Sequence, residues 1–129
     1  MGSVGLYVVA PEGRPWPVDL ATAEASLRQH WPAASVTRQV SVVNDVPYLS
    51  FDVEINGSLR WGTLQPGVCL TLREGSPAVW AETIVWFVGQ LPPGSTAFAA
   101  MGENPDLAPL PPDATTRDVQ DLYESLDRY

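Results

Sequence analysis

The chain has 129 residues, 45% of them apolar and 17% charged, which is the balance of a globular domain rather than a disordered segment. Seven Arg, no Lys and fifteen Asp plus Glu leave a net charge of −8. That balance argues against DNA or RNA binding, because nucleic-acid affinity comes largely from basic side chains displacing counterions from phosphates.

The apolar stretch from Val4 to Ala10 is short and no basic residue precedes it, so it lacks the charged start of a secretory signal. It reads as a first strand, Leu6 to Ala10, and the expected location is the cytoplasm. Pro11, Gly13, Pro15 and Pro17 then exclude regular structure. Asp19 is a helix N-cap, and Leu20, Ala23, Leu27 and Trp31 recur at spacings of three and four, predicting a helix over 19–31 that Pro32 ends.

A β-meander follows. Thr37 to Val43 is a strand, closed by a turn at 44–47. From Tyr48 to Glu54 the chain alternates, with Leu49, Phe51, Val53 and Ile55 on one side and Ser50, Asp52 and Glu54 on the other, the pattern of a sheet with one buried face. Asn56-Gly57 signals a hairpin. A two-residue loop would pair Val53 with Arg60 and Phe51 with Gly62, putting an arginine on the buried face and Trp61 on the wet one. A three-residue bulged loop would pair Val53 with Leu59, Phe51 with Trp61 and Asp52 with Arg60. One residue of slip inverts every side chain, so burial favours the bulged loop.

Gln65-Pro66-Gly67 is a second turn and Val68 to Leu72 a further strand. Ser76 caps, and Pro77 opens, a helix over 77–90 that is apolar on nearly all sides, with Glu82 its one charge. Such a helix is central, or presents one face to a second copy of the chain in a homodimer. Ser95 to Met101 is a short strand. Residues 102–114 form an extended surface segment, rich in Pro and Gly. Thr115 or Thr116 caps a last helix with a stripe of Val119, Leu122, Tyr123 and Leu126 and with Asp118, Asp121, Glu124 and Asp127 on its other half. The order β-α-β-β-β-β-α-β-α predicts an α+β domain over 1–129, an antiparallel or mixed sheet with helices packed on it. No run approaches the roughly 20 apolar residues of a membrane span, so no membrane partner is expected.

Few groups suit chemistry. Cys69 is single, which rules out an internal disulfide and a multi-cysteine zinc site, and it sits in a β-like run as a small sheet residue. His30 lies at the end of the first helix, where a protonated imidazole meets the helix C-terminus favourably. Asp52 and Glu54 share one strand face, a spacing that could serve acid–base work but ordinarily marks a wetted sheet face. No phosphate loop is present, and no catalytic residue, metal or cofactor is predicted. Five Trp are the most unusual feature. Trp16 stands between prolines in a loop with no periodic reason to be buried, which makes it a candidate partner contact; Trp31, Trp61, Trp80 and Trp86 fit a core. Nearly half of the fifteen acids, namely Glu103, Asp106, Asp113, Asp118, Asp121, Glu124 and Asp127, lie in the last 27 residues, against only Arg117 and Arg128.

The run Trp80-Ala81-Glu82-Thr83-Ile84-Val85-Trp86-Phe87, then Leu91-Pro92-Pro93-Gly94, a short strand, and Leu110-Pro111-Pro112-Asp113-Ala114-Thr115-Thr116-Arg117-Asp118-Val119 resembles small acidic actinobacterial proteins of the toxin-immunity type. The likeness covers residues 76–127 and is one of texture. It implies a non-enzymatic protein-interaction role against a basic partner. Asp106, Asp113, Asp118, Asp121 and Glu124 are then the candidate contacts beside Trp16. The alternatives are an aromatic-lined small-molecule pocket using Trp16 and Trp61, and a carboxylate-dependent enzyme using Asp52 and Glu54.

Overall fold

The computed structural model describes residues 5–127; Val4 and Arg128 lie outside them. Its strands are β1 (Leu6–Val9), β2 (Ser35–Val40), β3 (Pro47–Ile55), β4 (Ser58–Gln65), β5 (Cys69–Arg73), β6 (Ala97–Met101) and β7 (Ala108–Leu110). Its helices are α1 (Leu20–His30), α2 (Pro77–Gln90) and α3 (Thr116–Leu126). The strands form one antiparallel sheet in the order β2-β3-β4-β5-β1-β6-β7. This is the expected α+β class, with one strand more than the sequence suggested: β7 arises inside the segment 102–114. It is an edge of three residues, and Pro109 removes one donor from it, which blunts the edge against further pairing.

Alternation along the strands divides the sheet into two unlike faces. Leu6, Val8, Leu49, Phe51, Leu64, Leu70, Leu72, Ala97, Ala99 and Met101 point to one side and are buried beneath the helices. Their neighbours Tyr7, Val9, Tyr48, Ser50, Thr63, Gln65, Cys69, Thr71, Phe98 and Ala100 point to the other side and are only half-buried. The architecture is thus two layers, with one sheet face left uncovered by the described residues.

The hairpin 47–65 corrects the expected register. Ile55 pairs with Ser58, Val53 with Arg60 and Phe51 with Gly62, so the loop is the two residues Asn56-Gly57 rather than a bulge. Both have positive φ (54° and 80°), as a type I′ turn requires, and that turn's twist matches the strands it joins. Two local features overcome the burial argument against this register. Gly62 has no side chain, so the Phe51 ring lies over it; a Cβ there would stand 2.7 Å from Phe51 Cζ and 2.5 Å from the Thr71 carbonyl oxygen. Arg60 is near the sheet's end and donates to the carbonyls of Ile55 and Glu74, keeping its charge solvated and its donors used. Asp52 therefore faces Trp61, not Arg60, and Trp61 is 41% exposed on the uncovered face instead of joining the core.

The first helix is capped as expected: Asp19 accepts from the Thr22 amide at 2.7 Å, a bond that holds its carboxyl below the usual range. Glu24 then ties α1 to β2 through Arg38 and to its own turn through Arg28, and those two bonds lower its pKa as well. The strand β2 begins two residues earlier than predicted and stops at Val40. The residues 41–46 form a self-bonded turn in which Val42 and Val43 are 99% and 89% exposed.

The apolar α2 is core: Trp80, Ala81 and Ile84 are fully buried. Small side chains on β6, Ala97 and Ala99, let α3 pack close beside α2. A capping box starts α3, with Thr115 accepting from the Asp118 amide and Asp118 from the Thr115 amide, both at 3.1 Å. The predicted stripe then buries Val119, Tyr123 and Leu126. The Tyr123 hydroxyl donates to the Tyr7 carbonyl of the central strand at 2.7 Å, and burial pushes its pKa well up. No helix of the described residues is long and apolar enough to cross a membrane.

Candidate functional site

The acidic residues frame α3. Asn104 Nδ2 donates to the Leu126 carbonyl at 2.9 Å, which ties the 102–107 loop to the C-terminal end of the helix. From there β7 runs along the sheet edge and the chain returns through Asp113 to the N-cap. Asp106, Asp113, Asp118 and Asp121 are exposed; Glu124 is half-buried and accepts from Gln120 at 3.3 Å. Asp118 has a local duty in the capping box, so its oxygens are partly engaged. Against these carboxylates the described residues bring Arg117 alone, 3.9 Å from Asp121 with both side chains well exposed, a contact worth less than ~1 kcal/mol. The result is a band of under-compensated negative charge around one helix.

Trp16 occupies a different place. It is buried, 4% exposed, although it lies in a loop. Its amide donates to the Gly67 carbonyl (2.8 Å), its indole N–H to the Thr96 carbonyl (2.9 Å), and its ring meets Phe87 edge-on at 5.4 Å. Satisfying the indole nitrogen is what permits a tryptophan to be buried there. The remaining edge of Trp16 lines a cleft of about 140 Å³ between the loop, α1 and α2, whose apolar walls include Leu27, Leu64, Trp86 and Phe87 and whose rim carries Asp19 and Gln90. Beside it, His30 stacks on Trp86 with centroids 4.0 Å apart and planes 11° from parallel, and Trp31 closes the group against Phe51 at 5.7 Å. Burial lowers the His30 pKa below the usual histidine value, opposed by the Glu82 carboxylate. The imidazole thus lies as an aromatic plate on Trp86 at the end of α1.

The pocket expected from Trp16 and Trp61 together does not form, because the sheet stands between them: Trp16 is on the helix side and Trp61 on the uncovered face. Asp52 and Glu54 are exposed and line none of the clefts described here. Cys69 is half-buried on the uncovered face, with its thiol pKa raised by burial. Among the described residues no group of three or more His, Cys, Asp and Glu is placed to hold a metal ion. The cleft residues other than Trp16 were not legible as a site. Trp86, Phe87 and Leu27 read as core by periodicity, and nothing local says that the Pro15-Trp16-Pro17 loop folds against them.

Comparisons with protein-family models, with curated proteins and with solved structures find no match to this chain.

Proposed function

We propose that this chain is a non-enzymatic interaction domain that binds a basic protein partner through the carboxylates around α3, in its sharpest form an immunity-like protein. The observation that carries this reading is the exposure of Asp106, Asp113, Asp118 and Asp121 with one loosely placed arginine among them. Uncompensated charge of this kind destabilises the isolated domain slightly and acts at long range on a partner of opposite sign, raising the association rate. Capture of the partner from the source lysate, followed by binding of the purified pair over a range of salt, tests it. Affinity should fall as salt rises, because the Debye length shrinks from about 10 Å at 0.1 M to about 3 Å at 1 M. It should be lost in a D113K/D121K variant and kept in Glu12→Lys, which reverses an exposed charge in the first loop. Salt-insensitive binding, or binding that survives D113K/D121K, overturns the assignment.

The cleft beside Trp16 favours a second reading, a site for a small apolar ligand. Its volume suits one aromatic ring and falls short of the roughly 300 Å³ at which pockets for drug-sized ligands begin. Titration with toluene should quench tryptophan fluorescence saturably in the native protein and not in Ser26→Phe, whose ring would fill the space.

A further inference from the structure

The uncovered sheet face is not uniform. Near β2 the self-bonded turn 41–46 stands beside it, and together they enclose an open concavity of about 560 Å³. The turn is held by its own bonds: Ser41 N to Val46 O at 3.0 Å, Asp45 N to Ser41 O at 2.9 Å, and Val46 N to Asn44 Oδ1 at 3.1 Å. A wall so bonded is preformed rather than recruited. The floor spans four strands, with Gln39 opposite Tyr48, Thr63 opposite Thr71, and Gln65 opposite Cys69.

Its chemistry is uniform in one respect. None of the residues lining the concavity carries a formal charge; Asp45, in the turn that forms its wall, is exposed and is not among the lining residues. Amide and hydroxyl side chains are the most numerous, on the floor and at Ser41 and Asn44, beside Val40, Val42 and Val46. Among the described residues the Gln65 amide and the Tyr48 and Thr63 hydroxyls make no hydrogen bond, so donors and acceptors remain unspent at the centre of the floor. The backbone beneath them is committed to the sheet ladder and offers no strand-like pairing to a peptide.

We infer that this concavity is a binding site for a neutral saccharide, with the Gln65 amide and the Tyr48 and Thr63 hydroxyls contacting sugar hydroxyls and the Tyr48 ring lying against a sugar face. The alternatives fit the lining less well. An anionic ligand would find no cation, and a metal ion no carboxylate. An apolar ligand would strip water from amides and hydroxyls without replacing their bonds. The base of a nucleotide suits glutamine and tyrosine, but its phosphates would find no cation in this lining and are repelled by a chain of net charge −8. A neutral polyol supplies many paired donors and acceptors with no charge to desolvate, and the volume suits one or two sugar rings.

Cys69 lies in the same floor and reports occupancy without any mutation. The full-length protein is labelled with iodoacetamide at pH 8.5 in the presence of glucose, galactose, N-acetylglucosamine, maltose or cellobiose, with glucuronate and glucose 6-phosphate as charged counterparts. At least one neutral sugar should slow labelling saturably. At ten times its Kd about one molecule in eleven is unoccupied, so the rate should fall about tenfold. The charged counterpart should leave the rate unchanged, and Gln65→Leu and Tyr48→Ala should each abolish protection while the far-UV spectrum stays native. Should either variant fail to fold, the wild-type contrast between neutral and charged sugars reads the same question. No protection by any of the five neutral sugars, equal protection by the charged ones, or protection that survives both substitutions would overturn the assignment.

Discussion

Replacing Gly62 by alanine gives opposite results for the two registers of the 47–65 hairpin. In the observed pairing, Gly62 lies on the covered face under Phe51, and a methyl group there would meet Phe51 Cζ at 2.7 Å and the Thr71 carbonyl oxygen at 2.5 Å. The ring can tilt away, but the carbonyl belongs to a central strand and cannot move without opening the β4–β5 ladder. Overpacking of a well-filled core costs about 1–3 kcal/mol, and with one contact to rigid backbone the upper half of that range applies. Folding stability should therefore drop by about 2–3 kcal/mol. With a urea dependence of about 1–3 kcal/mol per molar for a domain of this size, the midpoint should fall by roughly 1–2 M at unchanged slope. Adding Phe51→Leu should recover only part of the loss, since it relieves the ring contact and leaves the carbonyl. In the bulged register the same residue would face solvent, and alanine in place of glycine would stabilise by up to about 1 kcal/mol through the unfolded chain. Equilibrium urea unfolding followed by tryptophan fluorescence decides the matter, and a Gly62→Ala protein as stable as the parent, or more so, would refute the observed pairing.

Tyr123→Phe should cost about 1 kcal/mol, the net worth of a typical buried hydrogen bond, because it removes the 2.7 Å link from α3 to the Tyr7 carbonyl while keeping the ring; urea unfolding measures it, and no loss would show that the link is not stabilising. Thr115→Ala should cost a similar ~1 kcal/mol by breaking the capping box, seen as a lower thermal midpoint with frayed amide exchange in the first turn of α3. His30 should titrate below 6.5 in an NMR pH series. Since its folded pKa is depressed, the unfolded chain takes up the proton first as pH falls; stability held above pH 6.5 is lost between that value and the lower folded midpoint. His30→Phe, which keeps a ring on Trp86, should flatten that part of the stability profile and leave the loss below pH 4.5, where Glu24 and then Asp19 titrate.

Much of the fold is local and was therefore legible in the residues. The cap at Asp19, a threonine cap at 115 or 116, of which the structure uses Thr115, the Pro77 start of α2, the alternation of Leu49, Phe51 and Val53, and the stripe on α3 each follow from interactions within one element, and all appear in the structure. Of the candidate contacts, Asp106, Asp113 and Asp121 could be placed at the surface from composition and helix period alone. What the residues could not supply were quantities that depend on two elements at once. The hairpin register turned on whether Gly62 leaves room for Phe51 and whether Arg60 finds carbonyls at the sheet's end. Both are contacts across strands, and burial preference alone pointed to the other answer. Trp16 lacks any periodic reason for burial, and its place in the core depends on Thr96 and Phe87, eighty and seventy-one residues away. The uncovered face was legible in β3, whose alternation predicts a sheet with one buried face; its extent was not, because only the packing of three helices on one side decides how much of the other remains open. Sequence determines what each segment can bury; the tertiary structure decides which of those surfaces find a partner within the chain.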